Sequence, residues 1–208
     1  RGRRLKASKK LGFPLFVKSL TLDASIGISQ ASVVEDDEKL QDRIKFIHEK
    51  GGTDALVERF IDGRELYVGV MGNHQLETLP IWELLFTKMP EESRKIATER
   101  LKWSLKYQKK HGIVSAEAKD LPKDLEKRIR DTCKRVYRTL MLSGYARIDL
   151  RLSDSGAISV IEANPRRVAM DDPLLVRGQG GRHLPGADPA HRESRPALGA
   201  DTLGLVDR

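Results

Sequence analysis

Two runs near residue 150, GYARIDLRL (144–152) and ISVIEANP (158–165), constrain this chain more than any other feature. Alternation along the first puts Ala146, Ile148, Leu150 and Leu152 on one face of a strand, and Arg147, Asp149 and Arg151 on the other. The turn residues Ser153 to Gly156 fold the second run back onto it. Pairing Leu152 with Ala157 sets Val160 opposite Asp149 and Arg147 opposite Glu162, so Asp149 and Glu162 share a face as diagonal neighbours. With Asn164 two residues on, two carboxylates and an amide oxygen compose a donor set for a hard cation such as magnesium. An ordinary Arg to Glu cross-strand pair on a solvated hairpin satisfies the same spacing.

Magnesium is usually held with the help of substrate phosphates, so a phosphate cradle is expected elsewhere. The loop Ser19 to Ser29, rich in small residues around Gly27 and with Lys18 at its mouth, is the candidate, and a plain turn is the alternative. It follows a strand expected over Phe13 to Lys18 and precedes a strand-like ISQASVV. The acids Glu35 to Glu38 open a helix with Leu40, Ile44 and Ile47 on one face, ended by Gly51-Gly52. Ala55 to Ile61, Glu65 to Met71 and Gln75 to Leu79 read as an antiparallel meander. Residues 80–120, broken by prolines and rich in lysine, read as loop with short helix. From Pro122, Leu125, Ile129, Cys133, Val136 and Leu140 keep helical spacing.

Composition excludes several classes. Of 208 residues 39% are hydrophobic and 33% charged, a globular balance without any run long enough to span a bilayer as a helix. The net charge of +8 arises mostly from RGRRLKASKK at the start, a terminal cluster rather than a basic face with aromatics, so neither nucleic acid nor membrane is expected as a partner. A lone Cys133 in a helical pattern suits a reducing, cytoplasmic compartment and core packing. His48, His74 and His111 lack partners at metal or triad spacing and read as surface residues. The chain begins at Arg1 in what reads as the end of a truncated helix. Residues 166–208 hold seven arginines but no lysine, aromatic or isoleucine, which reads as a disordered tail or an out-of-frame segment.

In this order, GFPLFVK, DASIGIS, ALVERFIDGRELYVGVMGN, GYARIDLRL and VIEANP resemble the ATP-grasp superfamily, in its D-alanine:D-alanine ligase-like branch, over about residues 11–165. The resemblance implies an α+β fold of two subdomains with antiparallel sheets gripping ATP. Residues 11–80 would form the first, with phosphate loop and adenine linker, and 81–165 the second, with the magnesium hairpin. It implies Lys18 on the α and β phosphates, Ala24, Ser25, Ile26 and Gly27 in the flexible phosphate loop, Glu58, Phe60 and Ile61 around adenine, and Glu65 on the ribose hydroxyls. Asp23-Ala24-Ser25 departs from the glycine and serines frequent there. It further implies Asp149, Glu162 and Asn164 as magnesium ligands, with manganese as an alternative, Arg147 on the reacting phosphoryl group and Lys102 on the γ-phosphate. A lysine-rich exposed helix accounts for Lys102 equally well.

The implied reaction is ATP-dependent ligation of a small carboxylate to an amine or similar nucleophile through an acylphosphate, in a truncated copy, with a homodimer compatible. The alternative is a nucleotide-binding but catalytically inactive fragment of such a ligase.

Overall fold

The computed structural model describes residues 11–22 and 25–166, all within one compact unit. The readings made for residues 1–10, for Ala24 and for the tail from 167 onward lie outside the described residues. Among the described residues eight strands form two antiparallel sheets. The first takes β1 (Leu15–Ser19), β2 (Val33–Val34) and β3 (Ala55–Arg59) in the order β2-β1-β3. The second takes β4 (Arg64–Met71), β5 (Glu77–Phe86), β6 (Ile113–Glu117), β7 (Tyr145–Leu152) and β8 (Ile158–Arg166) in the order β6-β5-β4-β7-β8.

Helix α1 (Asp37–Phe46) starts on the Asp36 side chain, which accepts the Lys39 N–H at 2.7 Å, and it lays Leu40 against Leu15, Val17 and Val34 of the small sheet. A π turn, Ile47–Gly51, continues it to Gly52 in the left-handed conformation. Helix α4 (Lys123–Thr139) follows Pro122, and its Ile129, Cys133 and Tyr137 close on Leu66, Val68, Ile148 and Leu150 of the large sheet. That is the main core, and it uses the apolar faces expected for the 122–140 helix and for β7.

Three readings change. First, β4 and β5, expected within the first subdomain, hydrogen-bond in the large sheet, so 11–80 contributes strands to both sheets. The chain crosses between sheets at Ile61 to Gly63, where Gly63 has φ 134° and an added Cβ would lie 2.1 Å from the Leu152 carbonyl oxygen. Second, ISQASVV is a short 3-10 turn, Gln30–Ser32, and a two-residue strand. Third, 80–120 is far more ordered than loop with short helix. Strand β5 runs through Pro80, because the β4–β5 register shifts between Val68 and Val70 and a bulge has no need of the missing N–H. Helices α2 (Glu99–Trp103) and α3 (Leu105–His111) and edge strand β6 follow, with Thr98 and Ser104 capping the helices.

Candidate functional site

The large sheet has one face under α4. On the other, the β5–β6 half lies under α2 and α3, where Leu84, Leu101 and Ile113 pack with Tyr67, Phe86 and Tyr107. The β4–β7–β8 half displays polar side chains. Period-two alternation lifts Glu65 and Tyr67 from β4, Arg147, Asp149 and Arg151 from β7, and Glu162 and Asn164 from β8 onto this half-face.

The hairpin register differs from the expected one. Asp149 lies directly opposite Glu162 and Arg147 opposite Asn164, while Leu150 faces Val160 and Leu152 faces Ile158. The cause is local. The turn closes with Ser153 and Ala157 bonding each other, one residue tighter into the loop than assumed, and a bulge between Asp149 and Leu150 moves the pairing again. The two carboxylates share the face as expected, but as an opposed pair rather than a diagonal one.

Around that pair the side chains interlock. Arg147 donates from Nε to Asp149 Oδ1 at 2.7 Å and from Nη2 to Oδ2 at 2.9 Å, and its guanidinium lies 5.1 Å from the Tyr67 ring centroid. Asn164 Nδ2 donates to Asp149 Oδ2 at 3.3 Å and to Glu162 Oε1 at 3.1 Å. Asp149 is 4% exposed and Glu162 is exposed. Burial pushes the Asp149 carboxyl up to about 7, with Glu162 adding to the rise and Arg147 opposing it. Burial works against the Arg147 charge, and the hydrogen bonds and field of Asp149 more than offset it, so its pKa is raised.

One guanidinium thus faces two carboxylates, which leaves a negative charge over when both are ionised. A divalent cation suits that imbalance and the donor chemistry, since one amide N–H₂ now bridges the two carboxylate oxygens that would be ligands. Among the described residues no cluster of three or more His, Cys, Asp or Glu gathers, so a third donor beside the two carboxylates would have to be the Asn164 amide. The fit holds with its carbonyl oxygen turned inward, the two ends of an amide being interchangeable by a flip.

Glu65 is buried. One of its oxygens accepts the Tyr67 hydroxyl at 2.8 Å and the other lies 3.7 Å from Arg151. Burial, then the fields of Glu65 and Asp149, hold the Tyr67 phenol well above its ordinary pKa. Arg151 also donates to the carbonyls of Gly63, at 2.8 Å, and Lys95, at 2.7 Å. Phe60, at the exit of β3, is buried with Arg94 and Arg151 guanidiniums 5.7 and 5.6 Å from its ring centroid. Ile61, next to it, is half-buried in the crossing between the sheets.

The small sheet carries the remaining candidates. Lys18 Nζ pairs with Glu58 at 2.8 Å, its diagonal neighbour across β1 and β3, where Lys18 itself lies opposite Leu56. Ser25, Ile26 and Gly27 form a turn in which Ser25 has φ 60° and Ile28 N–H returns to the Ser25 carbonyl. Gly27 is held from two sides, for its N–H donates to Glu99 Oε2 at 2.7 Å and its carbonyl accepts from the buried Arg43. Burial lowers the Arg43 pKa. Lys102 is exposed on α2, one turn after Glu99.

Sequence reasoning passed over Arg43, Tyr67, Arg94, Glu99 and Arg151. Tyr67 and Arg151 were legible as polar positions on the charged face of their strands. Arg43 and Glu99 touch the loop from 16 and 72 residues away and carried no local signal. His48 and His74 are exposed as expected, whereas His111 is half-buried with its ring 4.3 Å from that of Tyr107.

Among the described residues no helix is long and apolar enough to cross a membrane. A family model described as D-ala D-ala ligase C-terminus matches residues 3–166. An uncharacterised protein of Sinorhizobium fredii is 33% identical over 167 residues, covering 78% of this chain and 45% of that protein. A D-alanine–D-alanine ligase of Desulforudis audaxviator is 34% identical over 158 residues, covering 74% of this chain and 46% of the relative. The chain therefore spans about half the length of the curated relatives it matches. The crystal structure of a D-alanine–D-alanine ligase from Bacillus anthracis complexed with ATP superposes with a TM-score of 0.53 at 24% identity, over 74% of this chain and 43% of that one, a likeness of fold. Two antiparallel sheets with helices, a hairpin displaying paired carboxylates, and a family match over 164 of the 208 residues lead to one placement: the chain belongs to the D-ala D-ala ligase C-terminus family, within the ATP-grasp superfamily.

Proposed function

We propose that this chain supplies the ATP-binding half of a carboxylate–amine ligase, one that joins small substrates of amino-acid size through an acylphosphate. The observation that carries the reading is the opposed Asp149–Glu162 pair, with Asn164 between the carboxylates and Arg147 locked onto one of them. Relatives named as D-alanine–D-alanine ligases support the substrate class.

Asp149, Glu162 and Asn164 would hold magnesium, or manganese in its place, which when bound neutralises charge on the β and γ phosphates. Lys18 would meet the α and β phosphates once its Nζ leaves Glu58, and the turn Ser25, Ile26 and Gly27, with Ala24 before it, would present backbone N–H groups to phosphate oxygens. Glu58, Phe60 and Ile61 would flank adenine, and Glu65 would take the ribose hydroxyls. Arg147 keeps its Nε and Nη2 edge on Asp149, so the rest of its guanidinium is available to the transferring phosphoryl group, with Lys102 approaching from α2. No side-chain nucleophile is required, since the attacking groups belong to the substrates. A cytoplasmic setting suits the lone, buried Cys133.

Isothermal titration tests this. The parent should bind ATP more tightly with magnesium than without, and Glu162→Gln, a near-isosteric change at an exposed position, should lose roughly 5- to 150-fold in the magnesium-dependent part of the affinity, the range for losing one contact to a charged group. No binding at millimolar MgATP overturns the nucleotide site. Equal binding by parent and Glu162→Gln, with Asp149→Asn also silent, overturns the metal assignment. Binding without ATP consumption in the presence of amino acids leaves a nucleotide-binding, inactive chain.

A further inference from the structure

Tyr67 touches two residues to which the proposed function gives different tasks, Arg147 and Glu65. Its backbone lies directly opposite Asp149 in the β4–β7 ladder and opposite Trp82 in the β4–β5 ladder. Its hydroxyl donates to Glu65 at 2.8 Å, and its ring lies under the Arg147 guanidinium at 5.1 Å. It is itself fixed from behind by the cluster of Leu84, Leu101 and Ile113.

Each contact restrains a degree of freedom that the sheet leaves open. A guanidinium pinned to a carboxylate along one edge can still swing about that edge, and a ring face beneath it removes the swing. A buried carboxylate with one oxygen near Arg151 can still rotate, and a hydroxyl on its other oxygen stops the rotation. We propose that Tyr67 is a positioning residue that sets Arg147 for the terminal phosphoryl group through its ring and Glu65 for the sugar through its hydroxyl. It is not catalytic, since it acts through those two side chains. The inference rests on the reading of Arg147 and Glu65 given above.

The two contacts separate by substitution. Tyr67→Phe keeps the ring and removes the hydroxyl, whereas Tyr67→Leu removes both. Affinities for MgATP, MgADP and adenosine, measured by isothermal titration on the full chain, read them independently, and thermal melting of each variant reports folding. In Tyr67→Leu the preference for MgATP over MgADP should fall roughly 3- to 30-fold, as expected for losing a desolvated cation–π contact. Tyr67→Phe should restore that preference to within about twofold of the parent, while its adenosine affinity stays roughly tenfold weaker, in line with a lost hydrogen bond to a carboxylate. A purely structural role would weaken all three ligands together in step with the melting temperature.

An unchanged MgATP preference in Tyr67→Leu overturns the inference while the proposed function stands. So does a loss in Tyr67→Phe as large as in Tyr67→Leu. A parent that binds none of the three ligands overturns the nucleotide site itself, and this inference with it.

Discussion

Cys133 shows how a single position can be read twice, once from spacing and once from surroundings. Its place between Ile129 and Tyr137 on α4 made it a core residue, and it is fully buried against the large sheet. Burial raises its thiol from 9.0 to about 12. The unfolded chain ionises this thiol first, so in the window from about 9 to 12 folding must retain a proton that unfolding releases. Its contribution to stability is therefore constant below pH 9 and lost as the pH rises through that window. At pH 8 a disulfide reagent should leave Cys133 unmodified in the native protein and label it at the rate of a free thiol in denaturant. Rapid native labelling would mean that α4 opens locally. Asp149 was legible as a residue on the charged face, but not as a buried one. What removes water from it is Arg147 held over Tyr67, a contact between strands 80 residues apart in sequence.

Among the elements, α4 and the β7–β8 hairpin were the most legible, because each repeats its apolar positions at its own period over many residues. Ile129, wholly buried at the centre of the helix face, should lose about 2 to 5 kcal/mol of stability as Ile129→Ala, read as a lower urea midpoint with an unchanged slope. A change under 1 kcal/mol would place the core elsewhere. The hairpin register was not legible, since turn closure at Ser153–Ala157 and a bulge each move it by one residue. Both devices belong to the hairpin itself, while pairing with β4 on the far side runs without a register shift from Arg64↔Leu152 to Met71↔Tyr145. Strand β6 was missed for a related reason. Of its five edge residues only Ile113 is buried, so the strand carries no full alternation, and only hydrogen bonding to Trp82–Phe86 defines it.

In the whole molecule, the segment from Arg94 to Glu99 joins the two sheets. Arg94 and Gln30 exchange hydrogen bonds at 2.9 Å each, Arg94 pairs with Glu35 at 2.8 Å, and Glu99 holds Gly27 and Ile28. Arg151 anchors the same segment through the Lys95 carbonyl and the crossing through the Gly63 carbonyl, with Glu65 beside it. Arg151→Met should cost about 3 to 5 kcal/mol, because it leaves two carbonyls and a buried carboxylate without their cation. Denaturant unfolding measures this, and Arg94→Ala, at a more exposed pair, should cost under about 1 kcal/mol. Equal effects would contradict the burial of Arg151. By itself the sequence determined the strand and helix periods, the shared face of Asp149 and Glu162, and the ordered motifs that mark the family, since these depend on neighbours within a few residues. Only the tertiary structure decided that β4 and β5 join β7, that Asp149 meets Glu162 head-on, and that Arg43, Tyr67, Glu99 and Arg151 fasten the site. The bonds of Arg43 and Glu99 to Gly27 and of Arg151 to Gly63 join residues 16, 72 and 88 positions apart, which no local pattern reports.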